Sequence, residues 1–523
     1  MEKIIGELFV IGFHGKKVPK EIKELIHRYH IGGIILFTRN IGTPEEVLSL
    51  TAALQSEAKA AGYTQPLLIC IDQENGAVRR LGEGTTIFPG SMALGASDSP
   101  ENAYNVGFAT GKELLALGIN WNLAPVVDVN NNPENPVIGV RSFGESPKKV
   151  AKLGKAMMKG MQDAGVVTTL KHFPGHGDTN TDSHLSLPTI QHQMERLEAV
   201  ELFPFKEGIK AGADLIMTAH IHFSAIEQEK DKPATLSKAV ITGLLRERLA
   251  YSGVVTTDCM EMKAISETIG TEKGAVAALE AGADMVMISH TLERQKGALQ
   301  EVMQAVKSGK LDQAALRTSS ERIRSLKNTY LHWDHLFSTP KALEAVGTKE
   351  HEELSYNVYR ECVTLVKNEG IVPLTSKNVL VLTPEDHSGT PAEDKKYSGI
   401  RLVEAMRAYC PEADEKYISE QMPESESSSL LAVADLYTCI IVGTLNLAEN
   451  PKQQKLIHKI VAKGIPVIAV AMRSPYDVSY LSVVQACICT YDYTYPALKI
   501  AAGAIFGKEQ VSGKLPVMIE THS

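Results

Sequence analysis

The chain has 523 residues, 44% of them hydrophobic and 22% charged, with 40 Gly and 24 Pro. That composition excludes a disordered, collagen-like or coiled-coil chain. Its 54 basic and 62 acidic side chains leave a net charge of -8, so no basic excess draws nucleic acid or an anionic membrane as a main partner.

The first segment, MEKIIGELFVIGFHGKK, is apolar but broken by Glu7, and it lacks a small-residue cleavage site. It does not read as a signal peptide, and the expected compartment is cytoplasmic. No apolar run is long enough to span a bilayer. Short apolar runs then recur at Leu8–Phe13, Gly33–Phe37, Leu67–Asp72, Trp121–Val129, Val166–His172, Leu215–His220, Gly253–Asp258 and Met285–Ser289. Each is rich in Val, Ile, Leu or Thr and suits a buried parallel strand. Amphipathic stretches such as Pro44–Ala61, Pro147–Ala164, Ser237–Leu249 and Leu292–Ser308 lie between them. Thr43-Pro44 and Ser146-Pro147 are helix-start signals. The alternation predicts an α/β chain whose first part is a (β/α)8 barrel, with an open doubly wound sheet as the alternative.

Residues Leu311–Asn328 read as a helix, and a linker follows near 330–345. We expect a barrel domain over 1–335, a linker over 336–346 and a smaller α/β sandwich over 347–523. In that second part HEELSYNVYRECVTLVKNEG reads as one helix stopped by Gly370. Strands are expected at Val379–Leu382, Thr438–Gly443 and Val467–Ala471, a polar loop at 423–429, and a last helix near Pro496–Ile505. The seven cysteines are odd in number and lack paired C-x-x-C spacing, so neither a disulfide framework nor a zinc ribbon is indicated.

Polar residues follow the strands: Asp72, His172, His220, Asp258 and His290. In a barrel these positions reach the C-terminal rim, where active sites are built. The densest polar segment is KHFPGHGDTNTDSH, residues 171–184. Pro174, Gly175 and Gly177 make it a turning loop. It supports three readings. His172, His176, His184 and Asp178 are metal-ligand types, though Pro174 and Gly175 argue against placing two of the histidines on one helix face. A loop of this composition also hydrogen-bonds to itself. Finally, Asp182 and His184 are one residue apart, so in extended chain their side chains point the same way. The carboxylate then fixes the imidazole tautomer and stabilises its charged form, which makes His184 a candidate general acid. Asp258, ending VVTT, is a candidate nucleophile or cation-stabilising group. Asp72 with Arg79 and Arg80, and Arg141 in VIGVRSFG, are side chains suited to gripping sugar hydroxyls.

KHFPGHGDTNTDSH together with VVTTDCMEM resembles glycoside hydrolase family 3, and within it the β-N-acetylglucosaminidase branch. GGIILFTRN, IDQENGAVRRL, NLAPVVDV, RSFG, MTAHI and PATLS add to it, as do TLVKNEGIVPL and SGKLPV in the second part. The resemblance implies a TIM-type barrel followed by an α/β/α sandwich, and a retaining exo-enzyme that needs no metal or cofactor. By motif, Asp258 matches the nucleophile, His184 the acid/base and Asp182 its partner. Asp72, Arg80, Arg141, Lys171 and His172 match residues that bind the terminal sugar. The substrate class implied is a small saccharide, terminal β-linked N-acetylglucosamine from muropeptides (peptidoglycan recycling) or chitooligosaccharides. A β-N-acetylglucosaminide phosphorylase using the same residues is the alternative, since a neutral histidine does not repel phosphate. Asn75 and Ala77 depart from the family's D-Q-E-G-G-R-V, and Cys259 follows the nucleophile position. In the family's β-glucosidases a second-domain Glu is the acid, a part open in principle to Glu424 or Glu426 here, but the DSH motif already supplies an acid from the barrel. The oligomeric state is not legible.

Overall fold

The computed structural model describes residues 1–183, 186–334, 340–385, 390, 392–393 and 399–519. Eight parallel strands close into a barrel: β1 (Phe9–Ile11), β2 (Gly33–Leu36), β3 (Leu68–Ile71), β4 (Trp121–Asn122), β5 (Val167–Phe173), β6 (Leu215–Thr218), β7 (Val254–Cys259) and β8 (Met285–Ile288). Closure is made where Val10 of β1 stands in register with Met287 of β8. β1, β2, β3, β6 and β8 are mostly Val, Ile, Leu and Met and buried on both faces, as helices outside and packed side chains inside require. Trp121 fills the interior and donates its indole N–H to Thr169 at 2.7 Å.

The helices start where the chain chemistry says they should. Thr43 Oγ1 accepts from the Glu46 amide at 3.3 Å, Glu46 returns the bond to the Thr43 amide at 3.0 Å, and Pro44 opens the helix Pro44–Ala60. Ser146 and Pro147 open Pro147–Ala164 in the same style, without the reciprocal bond. The reciprocal pattern satisfies amide donors that a helix start leaves unpaired.

A second sheet holds β9 (Thr364–Asn368), β10 (Val379–Pro384), β11 (Asp414–Ile418), β12 (Cys439–Thr444), β13 (Val467–Ala471) and β14 (Ala486–Cys489), in the order β9-β14-β13-β12-β10-β11. Only β9 runs antiparallel. Val379, Val381, Ile441 and Val470 face one apolar layer with the helices Leu402–Arg407 and Tyr495–Ile505. Leu380, Leu382, Ile440 and Val442 face the other, with Glu424–Ala434 and Pro451–Ala462. The result is the three-layer sandwich expected from the sequence.

The second sheet corrects the reading in three places. The helix Lys349–Cys362 stops before Gly370, and Thr364–Asn368 is an edge strand. The segment expected as a polar loop opens the helix Glu424–Ala434, with Glu424 and Glu426 in its first turn, where acidic groups complement the helix dipole. Asp414–Ile418 is a strand that carries too little apolar pattern to announce itself, and Ala486–Cys489, apolar and fully buried, is a strand of only four residues that the reading passed over. In the barrel, regular pairing of β4 ends at Asn122, well short of Val129. Among the described residues no helix is long and apolar enough to cross a membrane.

Candidate active site

The C-terminal ends of the barrel strands open on a cavity of about 390 Å³. Asp72 leaves β3, Lys171 and His172 lie in β5, and Asp258 lies in β7. All four line this cavity, as do Arg80, Arg141 and His290. The rim residue His220 has another task. It is buried, with Nδ1 at 2.8 Å from Thr235 Oγ1 and Nε2 at 3.0 Å from the Cys259 carbonyl.

The floor is a web of buried charges. Lys171 donates to Asp72 at 2.8 Å and lies 2.6 Å from Glu74. Arg141 grips Glu74 through Nε and Nη2, at 2.9 and 2.8 Å. Burial alone would raise the Glu74 carboxyl, but Arg141 and Lys171 hold it well below the usual carboxylate range. Burial likewise would lower Lys171, and Asp72 and Glu74 raise it instead. Arg80 Nη2 stands 3.7 Å from Asp72. The charges are thus fixed in place before any ligand arrives, which is what preorganised recognition of hydroxyls requires.

His172 is held from behind. Its Nδ1 lies 2.7 Å from Asp128 Oδ2, and the Asp128 carboxylate also accepts from the His172 and His176 amides at 3.1 and 2.8 Å. Asp128 is fully buried, which would raise its pKa; the imidazoles of His172 and His176 lower it. The ring nitrogen facing the cavity approaches Arg141 Nη2 at 3.5 Å. A carboxylate behind an imidazole sets which nitrogen carries the proton.

The loop after β5 turns at Pro174 and Gly175 as expected, with no helix there. His176 is buried and uses both ring nitrogens, at 2.8 Å to Thr179 Oγ1 and 2.9 Å to Ser183 Oγ. It belongs to the loop's own hydrogen bonding. Asp182 is buried, and its carbonyl accepts from the Ser186 amide at 3.1 Å. His184 lies outside the described residues. Asp258 is half-buried, and its Oδ1 accepts from the Cys259 amide at 2.6 Å.

Two groups among the described residues have ligand atoms close enough for a metal: Cys259, Glu261 and His290, and Asp178, His192 and Glu201. Neither donor set is uncommitted. Glu261 already accepts from the His290 and Thr291 amides at 2.6 and 3.1 Å, and burial pushes the Cys259 thiol up to about 11. Glu201 accepts twice from Arg196 at 2.9 Å, and His192 pairs with Asp178. The ligand set considered from the sequence, His172, His176, His184 and Asp178, coincides with neither group.

Glu74 and Asp128 were not singled out from the sequence, although both sit inside the motifs IDQENGAVRRL and NLAPVVDV. A carboxylate in a motif reads the same whether it faces ligand or neighbour. Glu424 lines a separate cavity between two helices of the second sheet. Glu393, which the sequence did not suggest, lines the barrel cavity.

Family models describe the same two parts. The glycosyl hydrolase family 3 N-terminal domain matches residues 1–326, and the family 3 C-terminal domain matches 363–523. A β-hexosaminidase A from Pseudoalteromonas piscicida is 34% identical over 96% of this chain and 91% of its own. A β-hexosaminidase from Alkalilimnicola ehrlichii is 36% identical, over 57% of this chain and 85% of its own. A solved family 3 β-N-acetylglucosaminidase from Paenibacillus sp. str. FPU-7 superposes with a TM-score of 0.92 at 40% identity, covering 100% of this chain and 99% of that one.

Proposed function

From the premise that the chain belongs to glycosyl hydrolase family 3 and is a glycoside hydrolase, we propose that it is a retaining exo-β-N-acetylglucosaminidase. The observation that carries the proposal is the sharing of one cavity by Asp258 and the cluster of Asp72, Arg80, Arg141, Lys171 and His172. An anionic carboxylate in a pocket of fixed hydrogen-bonding groups suits attack on an anomeric carbon. The activities in the names of the Pseudoalteromonas and Paenibacillus proteins support the same sugar.

In this reading Asp258 attacks the anomeric carbon of a terminal β-linked N-acetylglucosamine. His184, polarised by Asp182, gives its proton to the leaving oxygen. The covalent glycosyl-enzyme is then opened by water, which neutral His184 deprotonates, and the β configuration is restored. Asp72, Arg80, Arg141, Lys171 and His172 bind the sugar. The catalytic unit is the chain over 1–335 and the second unit the chain over 347–523, joined by 336–346. Muropeptide fragments and chitooligosaccharides are the substrate classes, and a cytoplasmic enzyme of peptidoglycan recycling is the setting for the first.

The test is hydrolysis of an aryl β-N-acetylglucosaminide by wild type, Asp258→Ala and His184→Ala, with the first-formed anomer read by NMR. Asp258→Ala is expected to lose at least about a thousandfold in kcat. His184→Ala should lose more on an unactivated disaccharide than on the aryl glycoside. Full activity in either variant removes that residue's role, and a first-formed α product removes retention. Sugar 1-phosphate formed in phosphate buffer would turn the assignment to phosphorolysis.

A further inference from the structure

We infer that Glu393, supplied by the second domain, is a specificity-determining residue of the barrel cavity whose carboxylate accepts a hydrogen bond from a hydroxyl of the terminal sugar. The inference rests on the saccharide reading above and adds to it the group that closes the pocket from the other side.

Among the described lining residues, Ala392 and Glu393 alone come from beyond the barrel. The Glu393 side chain is 3% exposed. One of its oxygens pairs with Arg473, and the other, Oε2, has no hydrogen-bond partner among the described residues. A buried carboxylate oxygen without a donor destabilises the fold, and such atoms are rare in proteins. One is tolerated where a ligand brings the missing donor.

The charge state follows from the partner. Glu393 is ion-paired with Arg473, and the carboxylate raises the guanidinium against the lowering effect of burial. An ionised carboxylate accepts hydrogen bonds and donates none. The ligand group opposite Oε2 must therefore be a donor; N-acetylglucosamine offers its hydroxyls and one acetamido N–H, and the deoxy analogues below separate the two. A substrate carboxylate at this point is excluded by like charge.

The topology explains why this residue is there. Glu393 follows the carboxyl end of β10, and Arg473 follows that of β13. From β10 the chain order runs outward to β11 on one side and to β12, β13 and β14 on the other. That reversal is a switch point, where doubly wound sheets place ligand-contacting loops. Here the crevice is turned on the mouth of the barrel. A cavity of about 390 Å³ is small for a ligand pocket, which suits an exo-enzyme enclosing one ring and places Glu393 on that ring.

The test is a cycle between enzyme and substrate. The value of kcat/KM is measured for wild type, Glu393→Gln and Glu393→Ala, on an aryl β-N-acetylglucosaminide and on its 3-, 4- and 6-deoxy analogues. Glu393→Ala should lose about 10- to 100-fold on the parent glycoside, the scale of one charge-assisted hydrogen bond. The loss should vanish on one deoxy analogue, which a misfolded or loosened pocket could not reproduce. Glu393→Gln, which keeps shape and one acceptor oxygen, should show the same pattern at smaller amplitude, and it carries the test if the alanine variant does not fold. Equal losses on all four glycosides, or none, overturn the inference. A wild type inactive on the parent glycoside overturns the saccharide reading beneath it.

Discussion

Glu74 accepts two bonds from Arg141 and contacts Lys171 while almost wholly out of water, and removing one member of such a set strands the others at high cost. Single residues in this site thus act as supports for one another. His176 is the clearest case, because its support depends on pH. Burial, with the His172 imidazole beside it, pushes the His176 imidazole down to about 4. In the unfolded chain it titrates near its ordinary value of about 6.5. The unfolded state therefore takes up a proton that the folded state refuses until about pH 4. Stability is complete above about pH 6.5 and falls as pH drops through that window, by about 3 kcal/mol for this group. Urea midpoints taken between pH 4 and 6.5 should fall steeply in wild type and more gently in His176→Gln. Parallel slopes would dismiss the imidazole as the source. That Asp72, Lys171, His172 and Asp258 would share one cavity was legible because strand ends and a family motif coincide there; Arg80 and Arg141, which also line it, lie in loops and were legible by motif alone. Glu393 was illegible because its place depends on how the second sheet is turned on the barrel, which no local pattern records.

At the scale of elements, β5 and its following loop carry the most chemistry. The loop is laced to residues 129–135, with Asn135 Nδ2 donating to the His176 carbonyl at 2.9 Å. Gly177 fits this seam because it has no side chain: a Cβ would stand 1.8 Å from the Val129 carbonyl oxygen. Gly177→Ala should push the loop outward and lower kcat/KM by about 10- to 100-fold, the penalty of misplacing a reacting group by about 1 Å. The melting temperature should fall as well, because the clash is with backbone and the buried loop holding His176 must move. A variant with wild-type kinetics would show that this seam does not position the loop. Barrel strands were readable because buried parallel strands are near-continuous apolar runs. The strands β9 and β11 were not, because they are sheet edges with mixed exposure: DEKYI buries one residue in five. The helix Glu424–Ala434 was mistaken for a loop because serines favour turns as readily as first helical turns.

The whole molecule is held by a core that ignores the boundary between its sheets. Val358, Cys362, Ala471, Cys489 and Tyr491 belong to the same apolar cluster as the barrel strands. Buried Glu113 of the barrel clasps the far side: it accepts from Thr86 at 2.6 Å, from the Gly347 amide at 3.1 Å, and lies 2.9 Å from His351 Nδ1. Glu113→Ala leaves those donors without an acceptor and should cost about 2–4 kcal/mol. Trp121 is buried in the barrel and Trp333 donates to the Thr64 carbonyl, so tryptophan fluorescence reports the barrel and circular dichroism reports both sheets. The two urea transitions should coincide in wild type and separate in Glu113→Ala. An unchanged midpoint would show that the clasp is idle.

The barrel is also stitched by chain that follows both sheets. Lys514 donates its amide to the Ala96 carbonyl at 2.9 Å, Pro516 accepts from the Glu145 amide at 3.4 Å, and Gly144 meets Pro516 so closely that a Cβ there would lie 2.5 Å from its oxygen. Arg141 stands three residues before that contact, on the cavity floor. On the ribosome, the barrel strands emerge long before residues 514–517. The barrel strands are therefore made with this stitch still missing, and the loop bearing Arg141 gains it only once residues 514–516 exist. A chain cut before Lys514 should therefore lose activity, because a loop of its pocket has lost its outer support.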